Sequence, residues 1–343
     1  MRSHELGATA RALVAEGKGI LAADESIATM NKRLWSVAIA PNPEARRRFR
    51  ELVIAAPGLA RWVSGVILCD ETFRQAASGG APLPRAAEAA GLLPGIKVDV
   101  GAKPLAGSPA ETATEGLDGL RARLAEYVEL GARFAKWRAV LRIGPGLPTT
   151  ACLHANAHAL ARYAAACQEV GLVPIVEPEV LMDGDHGLAR CEEVTTDTLR
   201  RVFAELVAQD VLLEGIVLKP NMVLPGVDGD HAGEDEPVEA TLRCLRRTVP
   251  AAVPGIAFLS GGQSDEAATR LLDAMNRRGR QAWTLTFSFG RALLAPALAA
   301  WAEDQSDIEG AQRVLAHRAQ CNAAAAQGRY EHAMENARRL VSA

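Results

Sequence analysis

The chain has 343 residues, 49% of them hydrophobic, with 38 basic and 41 acidic side chains and a formal net charge of −3. Hydrophobic content of that size is ample for a large core, and the length suits one large domain or two ordinary ones. Nearly balanced, interspersed charge gives no sign of a nucleic-acid or anionic-membrane surface, and no apolar run reaches the ~18 residues of a membrane span.

The first residues, MRSHELGATA, hold no signal-peptide core, so they read as a short N-terminal extension of a cytoplasmic protein. The first predicted strand is GILAA, residues 19–23, followed by a helix over Pro43–Ile54 with Asn42 as cap and proline in its first turn. Strands follow at 65–69 (GVILC) and 95–100 (GIKVDV). Leu117, Leu120, Leu124 and Val128 give the helical spacing of a helix over 116–131, ended by Gly131. Strand 134–141 (FAKWRAVL), helix 156–171, strand 173–180 (VPIVEPEV), helix 196–209 and strand 215–220 (GIVLKP) come next. Then an acidic, exposed loop is expected over 226–236, ahead of helix 236–249. Strand 255–260 (GIAFLS), helix 265–276, strand 284–289 (TLTFSF) and a long Ala-rich helix over 307–327 complete the chain.

Several of these strands are continuous apolar runs, as expected where both faces are buried in a parallel sheet. Eight strands alternating with helices indicate an α/β protein of (β/α)₈ type, the TIM barrel: a parallel eight-stranded barrel with outer helices. With no Pro-, Gly- or Ser-rich linker, residues 1–343 read as a single domain. Cys69, Cys152, Cys167, Cys191, Cys244 and Cys321 form no C-x-x-C pair or zinc-type cluster, so free thiols in a reducing cytosol are expected.

In such a barrel the polar residues at strand C-termini face the active site. Those positions carry Asp24, Asp70, Lys97, Lys136, Arg138, Glu177, Glu179, Lys219, Ser260 and Arg291. Lys219 ends an apolar strand that Pro220 stops, because proline has no N–H for the ladder. A lysine there is either a snorkelling edge residue or a desolvated amine able to attack a carbonyl and form a Schiff base. Lys136 and Arg138 share one strand face, as do Glu177 and Glu179, and such like pairs call for opposite charges nearby. Clustered cations would help keep Lys219 neutral, and a carboxylate of raised pKa could shuttle protons. A purely structural ion network is the alternative. Gly261 and Gly262, leading through Gln263 and Ser264 into a helix, and Gly290 with Arg291 lie after the seventh and eighth strands, where this fold binds phosphate.

Other signals are weaker. Gly17–Ala22 matches G-x-G-x-x-A, but its glycines precede the strand rather than follow it. His154 and His158 have metal-pair spacing on an Ala-rich helix without a matching carboxylate, and a surface helix is expected. Asp183–His186 lacks the further ligands of a calcium loop and reads as a turn and helix cap. His231 is expected to be solvated.

The strings LAADES (21–26), GIKVD (95–99), FAKWR (134–138), IVEPE (175–179), DGDH (183–186), LKPNMV (218–223), FLSGGQS (258–264) and FSFGRAL (287–293) resemble class I fructose-bisphosphate aldolase. The resemblance runs from about residue 10 to about residue 330. It implies reversible cleavage of fructose 1,6-bisphosphate to dihydroxyacetone phosphate and glyceraldehyde 3-phosphate, with no metal and no other cofactor. It also implies a cytoplasmic homotetramer whose partners are sugar phosphates. Lys219 would form the Schiff base, Glu177 would act as acid/base in carbinolamine dehydration, and Asp24 would handle or orient the C4 hydroxyl proton. Lys136 and Glu179 would tune the charges around them. Ser260, Gly261, Gly262, Gly290 and Arg291 would bind the C1 phosphate. Ser26, Thr29, Lys32, Arg33 and Lys97 would serve the distal phosphate, and Arg138 would help hold the substrate. Relative to the animal enzymes, Thr29 stands for a serine and Phe289 for a tyrosine. The chain ends ARRLVSA without their terminal tyrosine, and Tyr330 lies near the end but not at that position. Transaldolase, deoxyribose-phosphate aldolase and a non-catalytic scaffold are the rival readings.

Overall fold

The structure, a computed structural model, describes residues 2–229 and 233–336. His231 and the last seven residues, 337–343, lie outside them. In chain order the first elements are α1 (Arg2–Leu13), β1 (Gly19–Ala23), α2 (Ile27–Ser36), α3 (Pro43–Ile54), β2 (Val63–Leu68), α4 (Asp70–Phe73), α5 (Leu83–Ala89) and β3 (Leu93–Lys97). An antiparallel hairpin of β4 (Ala102–Leu105) and β5 (Ser108–Thr114) follows. Then come α6 (Leu120–Glu129), β6 (Phe134–Leu141), α7 (Thr150–Val170), β7 (Val173–Val180), α8 (Leu188–Ala208) and β8 (Val217–Leu218). The last are α9 (Asp235–Thr248), β9 (Gly255–Phe258), α10 (Asp265–Arg277), β10 (Thr284–Phe289), α11 (Arg291–Glu303) and α12 (Ile308–Ala325).

Eight strands close a parallel barrel in the order β1-β10-β9-β8-β7-β6-β3-β2, as the alternation predicts. The apolar runs are continuous because the strands are covered on both sides; β7 is buried at every residue. Several boundaries differ from the expectations. The run 215–220 forms ladder only at Val217–Leu218, since a 3₁₀ turn occupies Leu213–Gly215 and Pro220 cannot donate. β3 starts at Leu93 and ends at Lys97, so Val98–Val100 leave the sheet. β2 is shifted toward its N-terminus, ending at Leu68. Helix α6 begins only at Leu120, behind Gly119, whose φ of 66° is left-handed. Helix α3 runs as expected, with Asn42 accepting from the Ala45 N–H at 2.8 Å.

The extension is in fact helix α1, and it plugs the barrel floor. Leu6, Ala10, Leu13 and Val14 pack with Ile20, Ile67, Phe134, Ile175, Val217 and Ala257 in one buried cluster. A Cβ on Gly255 would sit 2.7 Å from the Val14 side chain, so a side chain there would displace the plug. A second, larger cluster fills the space between the barrel and its helices. Closing the floor leaves the other end, where strands finish, as the open mouth. The six cysteines are free thiols, and no helix among the described residues is long and apolar enough to cross a membrane.

Leu13 is 0% exposed, so Leu13→Ala removes a buried side chain from a floor that cannot collapse around it. The expected loss is about 2–5 kcal/mol, read as a lower urea midpoint at unchanged slope.

Candidate active site

The strand ends converge on a cavity of about 420 Å³ at the barrel mouth. Its lining includes Asp24, Ser26, Thr29, Arg33, Lys97, Lys136, Arg138, Glu177, Glu179, Lys219, Ser260, Gly261, Gly262, Gly290 and Arg291, all named from the sequence. Strand period explains the grouping: Lys136 with Arg138, and Glu177 with Glu179, project from the same faces of neighbouring strands, with Arg138 in register with Glu177.

At the floor lies a buried charge cluster. Lys136 Nζ is 2.9 Å from Asp24 Oδ2 and 2.8 Å from Glu177 Oε2. Lys219 Nζ is 3.1 Å from Glu177 Oε1, and all four residues are buried. Arg138 donates its Nε–H to Glu179, which satisfies the second carboxylate on the strand. Lys219 also keeps its backbone in the sheet, its N–H donating to Val176 O at 2.8 Å. The amine is thereby held on a rigid element beside its acid partner.

Burial dominates the electrostatics. Desolvation lowers the Lys219 pKa below the ordinary lysine value, Glu177 opposes it, and the nearby Lys136 ammonium lowers it further. Like-charge repulsion therefore assists, while burial leads. Lys136 behaves oppositely: burial lowers its pKa, yet Asp24, Glu177 and Asp99 outweigh that and hold it firmly as an ammonium. The expected carboxylate of raised pKa is absent from this pair. Burial raises Glu177, but Lys136, Lys219 and Arg138 prevail and hold it below its ordinary value. Asp24 is pushed well below its own by Lys136 and Lys219 against the same burial. Two cations beside two carboxylates favour the ionised forms more than desolvation disfavours them.

Around this floor the cavity wall holds two sets of cationic and hydrogen-bonding groups. One comprises Ser260, Gly261, Gly262, Gly290 and Arg291. Gly262 adopts a left-handed φ of 74°. A Cβ on Gly261 would lie 2.7 Å from Glu179 Oε1, so this backbone must stay bare for the carboxylate to fit. Helix α11 opens at Arg291 without a side-chain cap, which leaves its positive end available to an anion. Arg291 Nη2 donates to Gln263 O at 2.9 Å, tying the loops after β9 and β10 together. Among the described residues no carboxylate pairs with Arg291.

The second set lies at the N-cap and along α2, and at the end of β3. Ser26 caps α2, accepting from Thr29 N–H at 3.2 Å, with the two hydroxyls 3.0 Å apart. Arg33 pairs with Glu25. Lys97 is already matched by Asp99, donating to its backbone oxygen at 2.9 Å and to its carboxylate.

Two named residues stand elsewhere. Lys32 is exposed on α2 and does not line the cavity, because the helix turns it away from Arg33's side. Asp70 is exposed at the start of α4, where it accepts from Tyr127 Oη at 2.7 Å and pairs with Arg74; β2 ends two residues before it. Phe289, at the tyrosine position, is fully buried against Phe287 with centroids 5.6 Å apart, so the missing hydroxyl belongs to the core rather than the cavity. Tyr330 is buried, 3.0 Å from Glu335 through its hydroxyl, and is not a lining residue.

Glu25, Asp99 and Ser288 also line the cavity, beyond the residues expected there from the sequence. Asp99 lies two residues past Lys97, a spacing that signals a shared face even beyond the strand. Ser288 shares its strand face with Thr286 and Gly290, so period two would have found it; its hydroxyl is buried without a partner.

His154 and His158 are on the surface as expected, but α8 supplies the carboxylate that the sequence left unseen: Glu205, 2.9 Å from His158 Nδ1 and 3.6 Å from His154 Nδ1. Residues 182–186 form a turn bonded to 226–228, with Gly226 N–H donating to His186 O at 2.8 Å; Gly187, not that turn, is the N-cap of α8. The acidic loop is therefore anchored at Gly226 and exposed at Val227 and at 233–235. Among the described residues His317, Cys321 and Glu335 lie close enough to share a metal ion, but Arg318 and Tyr330 occupy the Glu335 carboxylate and none of the three lines the cavity.

The lowered pKa values set an acid limit. Asp24 and Glu177 have folded-state values below their ordinary 3.8 and 4.5. Their contribution to stability is thus present above the unfolded-state values and lost as pH falls through the folded ones. Urea unfolding between pH 3 and pH 6 should show wild-type stability falling at the acid end, with a shallower fall in Asp24→Asn. Equal slopes for the two proteins would contradict this account.

A family profile described as "Glycolytic: Fructose-bisphosphate aldolase class-I" matches residues 5–342. A protein of Xylella fastidiosa named "Probable fructose-bisphosphate aldolase class 1" is 53% identical over 333 residues, 96% of this chain and 100% of its own. The Cicer arietinum "Fructose-bisphosphate aldolase, cytoplasmic isozyme" is 50% identical over 95% of this chain and 92% of its own. A solved structure of fructose-bisphosphate aldolase from Plasmodium falciparum, in complex with TRAP and a small-molecule inhibitor, superposes with a TM-score of 0.95 at 45% identity over 96% of both chains. With strand-end motifs, barrel and whole-length similarity in agreement, the chain belongs to the class I fructose-bisphosphate aldolase family.

Proposed function

We propose that Lys219 carries out this family's carbon–carbon lyase reaction, the reversible cleavage of fructose 1,6-bisphosphate in glycolysis and gluconeogenesis, through a Schiff base. The observation that carries the assignment is the buried Lys219 amine, its pKa lowered, 3.1 Å from Glu177 at the cavity floor. The neutral amine adds to the C2 carbonyl and the carbinolamine loses water, giving an iminium. Its nitrogen accepts the electron pair of the C3–C4 bond as the C4 hydroxyl loses its proton, and the aldehyde leaves. Protonation of the resulting enamine at C3 and hydrolysis return dihydroxyacetone phosphate and the lysine.

The charge cluster times the proton transfers. Lys219 is one of the cations that hold Glu177 and Asp24 ionised. While the nitrogen is neutral, as amine and carbinolamine, that restraint is relaxed and the Glu177 pKa rises toward the range needed to donate a proton to the departing hydroxyl. Asp24, with Lys136 fixed beside it, orients the C4 hydroxyl; Lys136 and Glu179 set the surrounding charge. Arg291 with Ser260, Gly261, Gly262 and Gly290 receives the C1 phosphate. Ser26, Thr29, Arg33 and Lys97 receive the other, and Arg138 steadies the sugar. The reading extends to a metal-independent, cytoplasmic homotetramer acting on sugar phosphates, with 1–343 as one domain.

Borohydride added with fructose 1,6-bisphosphate should inactivate the protein and leave substrate-derived mass on the peptide holding Lys219. Label on another lysine, or none, would sink the assignment. Trapping rates should rise with pH as Lys219 loses its proton and level off below the ordinary lysine value of 10.5. Turnover should persist in EDTA; a loss restored by zinc would point to a metal mechanism instead.

A further inference from the structure

Glu25 follows Asp24 at the end of β1, and its side chain is 6% exposed. Each of its oxygens meets a different arginine. Oε1 accepts from Arg33 Nη1 and Oε2 from Arg50 Nη2, the latter at 2.5 Å. Arg50 reaches in from α3 and is 2% exposed. Its Nε also donates to Ala23 O at 2.7 Å, and its Nη1 lies 3.3 Å from Met30 Sδ. Arg50 is fixed on three sides, while Arg33 lines the cavity and is 28% exposed.

We infer that Glu25, held by the buried Arg50, is a positioning residue that presents Arg33 to the substrate's second phosphate. The argument rests on the functional reading above and deepens it. Two cations share one anion, so the unit carries a surplus positive charge, and of the two cations only Arg33 lines the cavity, beside Glu25. Glu25 engages Nη1 alone among Arg33's nitrogens. Nε and Nη2 are left for an anion, in the fork geometry that suits a phosphate. A free arginine side chain loses rotamer freedom on binding; one already tethered loses less. Arg50 makes the tether rigid, because a buried guanidinium cannot exchange Glu25 for water. Its bond to Ala23 O fixes the same unit to the residue preceding Asp24, so the phosphate end and the catalytic floor share one anchor.

Steady-state kinetics with fructose 1,6-bisphosphate test this in a double-mutant cycle. Glu25→Gln should raise KM about three- to ten-fold, the effect of freeing one side chain, with kcat changed less than about two-fold. In an Arg33→Ala background the same substitution should add less than about two-fold. Glu25→Asp retains the charge for Arg50 but shortens the reach to Arg33, and should reproduce the KM rise should the glutamine variant fail to fold. Unchanged or lowered KM, a parallel fall in kcat, full additivity with Arg33→Ala, or an Arg33→Ala KM equal to wild type would each overturn the inference. If the wild-type protein does not cleave fructose 1,6-bisphosphate, the functional reading falls first; cleavage with an additive cycle removes only the role of Glu25.

Discussion

The rest of the site depends on the contact between Lys136 and the two carboxylates Asp24 and Glu177. Isolated buried charges are expensive, and the cost is offset only where each meets a partner at hydrogen-bond distance. Lys136 provides this for two acids at once, 2.9 Å and 2.8 Å away. Because it stays charged, Lys219 need not. Burial can then lower the Lys219 pKa without leaving Glu177 an uncompensated anion. Without Lys136 the same burial would push Glu177 and Asp24 toward their protonated forms, and the division between a reactive amine and an ionised acid would be lost.

Such a cluster needs a frame that does not relax around it. The barrel supplies one by placing each charged group on, or one residue past, a different strand: Asp24 just beyond β1, Lys136 on β6, Glu177 on β7 and Lys219 just beyond β8. Their spacing is fixed by ladder geometry rather than by loops. Helix α1, with Val14 just after it, closes the opposite end through Leu6, Ala10, Leu13 and Val14, an apolar plug beneath the barrel. Desolvation at the floor and reactivity at the mouth are thus parts of one construction.

Much of this was legible because strand ends in a parallel barrel are read by position. Lys136, Arg138, Glu177 and Glu179 fall at period-two spacing on long apolar strands, and their convergence follows once the strands are counted. What stayed hidden depended on geometry between elements. The Leu6, Ala10 and Leu13 spacing is helical, yet Gly7 and the small residues Ala8 and Ala12 between them blur the contrast of faces in a helix whose partner is the barrel floor rather than a neighbouring helix. The apolar run reaches Cys69 and makes Asp70 resemble a strand-end acid, but the sheet stops at Leu68 and the chain turns outward into α4. Glu25 sits beside Asp24 in the same string, but only folding reveals that Arg33 and Arg50 flank it. The direction of the Glu177 shift was likewise a balance of burial against three cations, which composition cannot weigh.

Charge pairing also distinguishes the cations that line the cavity. Lys97 is matched by Asp99, and Arg138 by Glu179, so neither brings an unmatched charge into the cavity. Among the described residues Arg291 meets only a backbone carbonyl, and the Glu25 unit holds two guanidinium groups for one carboxylate. The uncompensated charge therefore lies at two places, each beside hydroxyl groups or an uncapped helix terminus. A substrate with a phosphate at each end meets both; one with a single phosphate leaves one cation unanswered. Lys97, held by Asp99, contributes a donor rather than a surplus charge to the cavity wall.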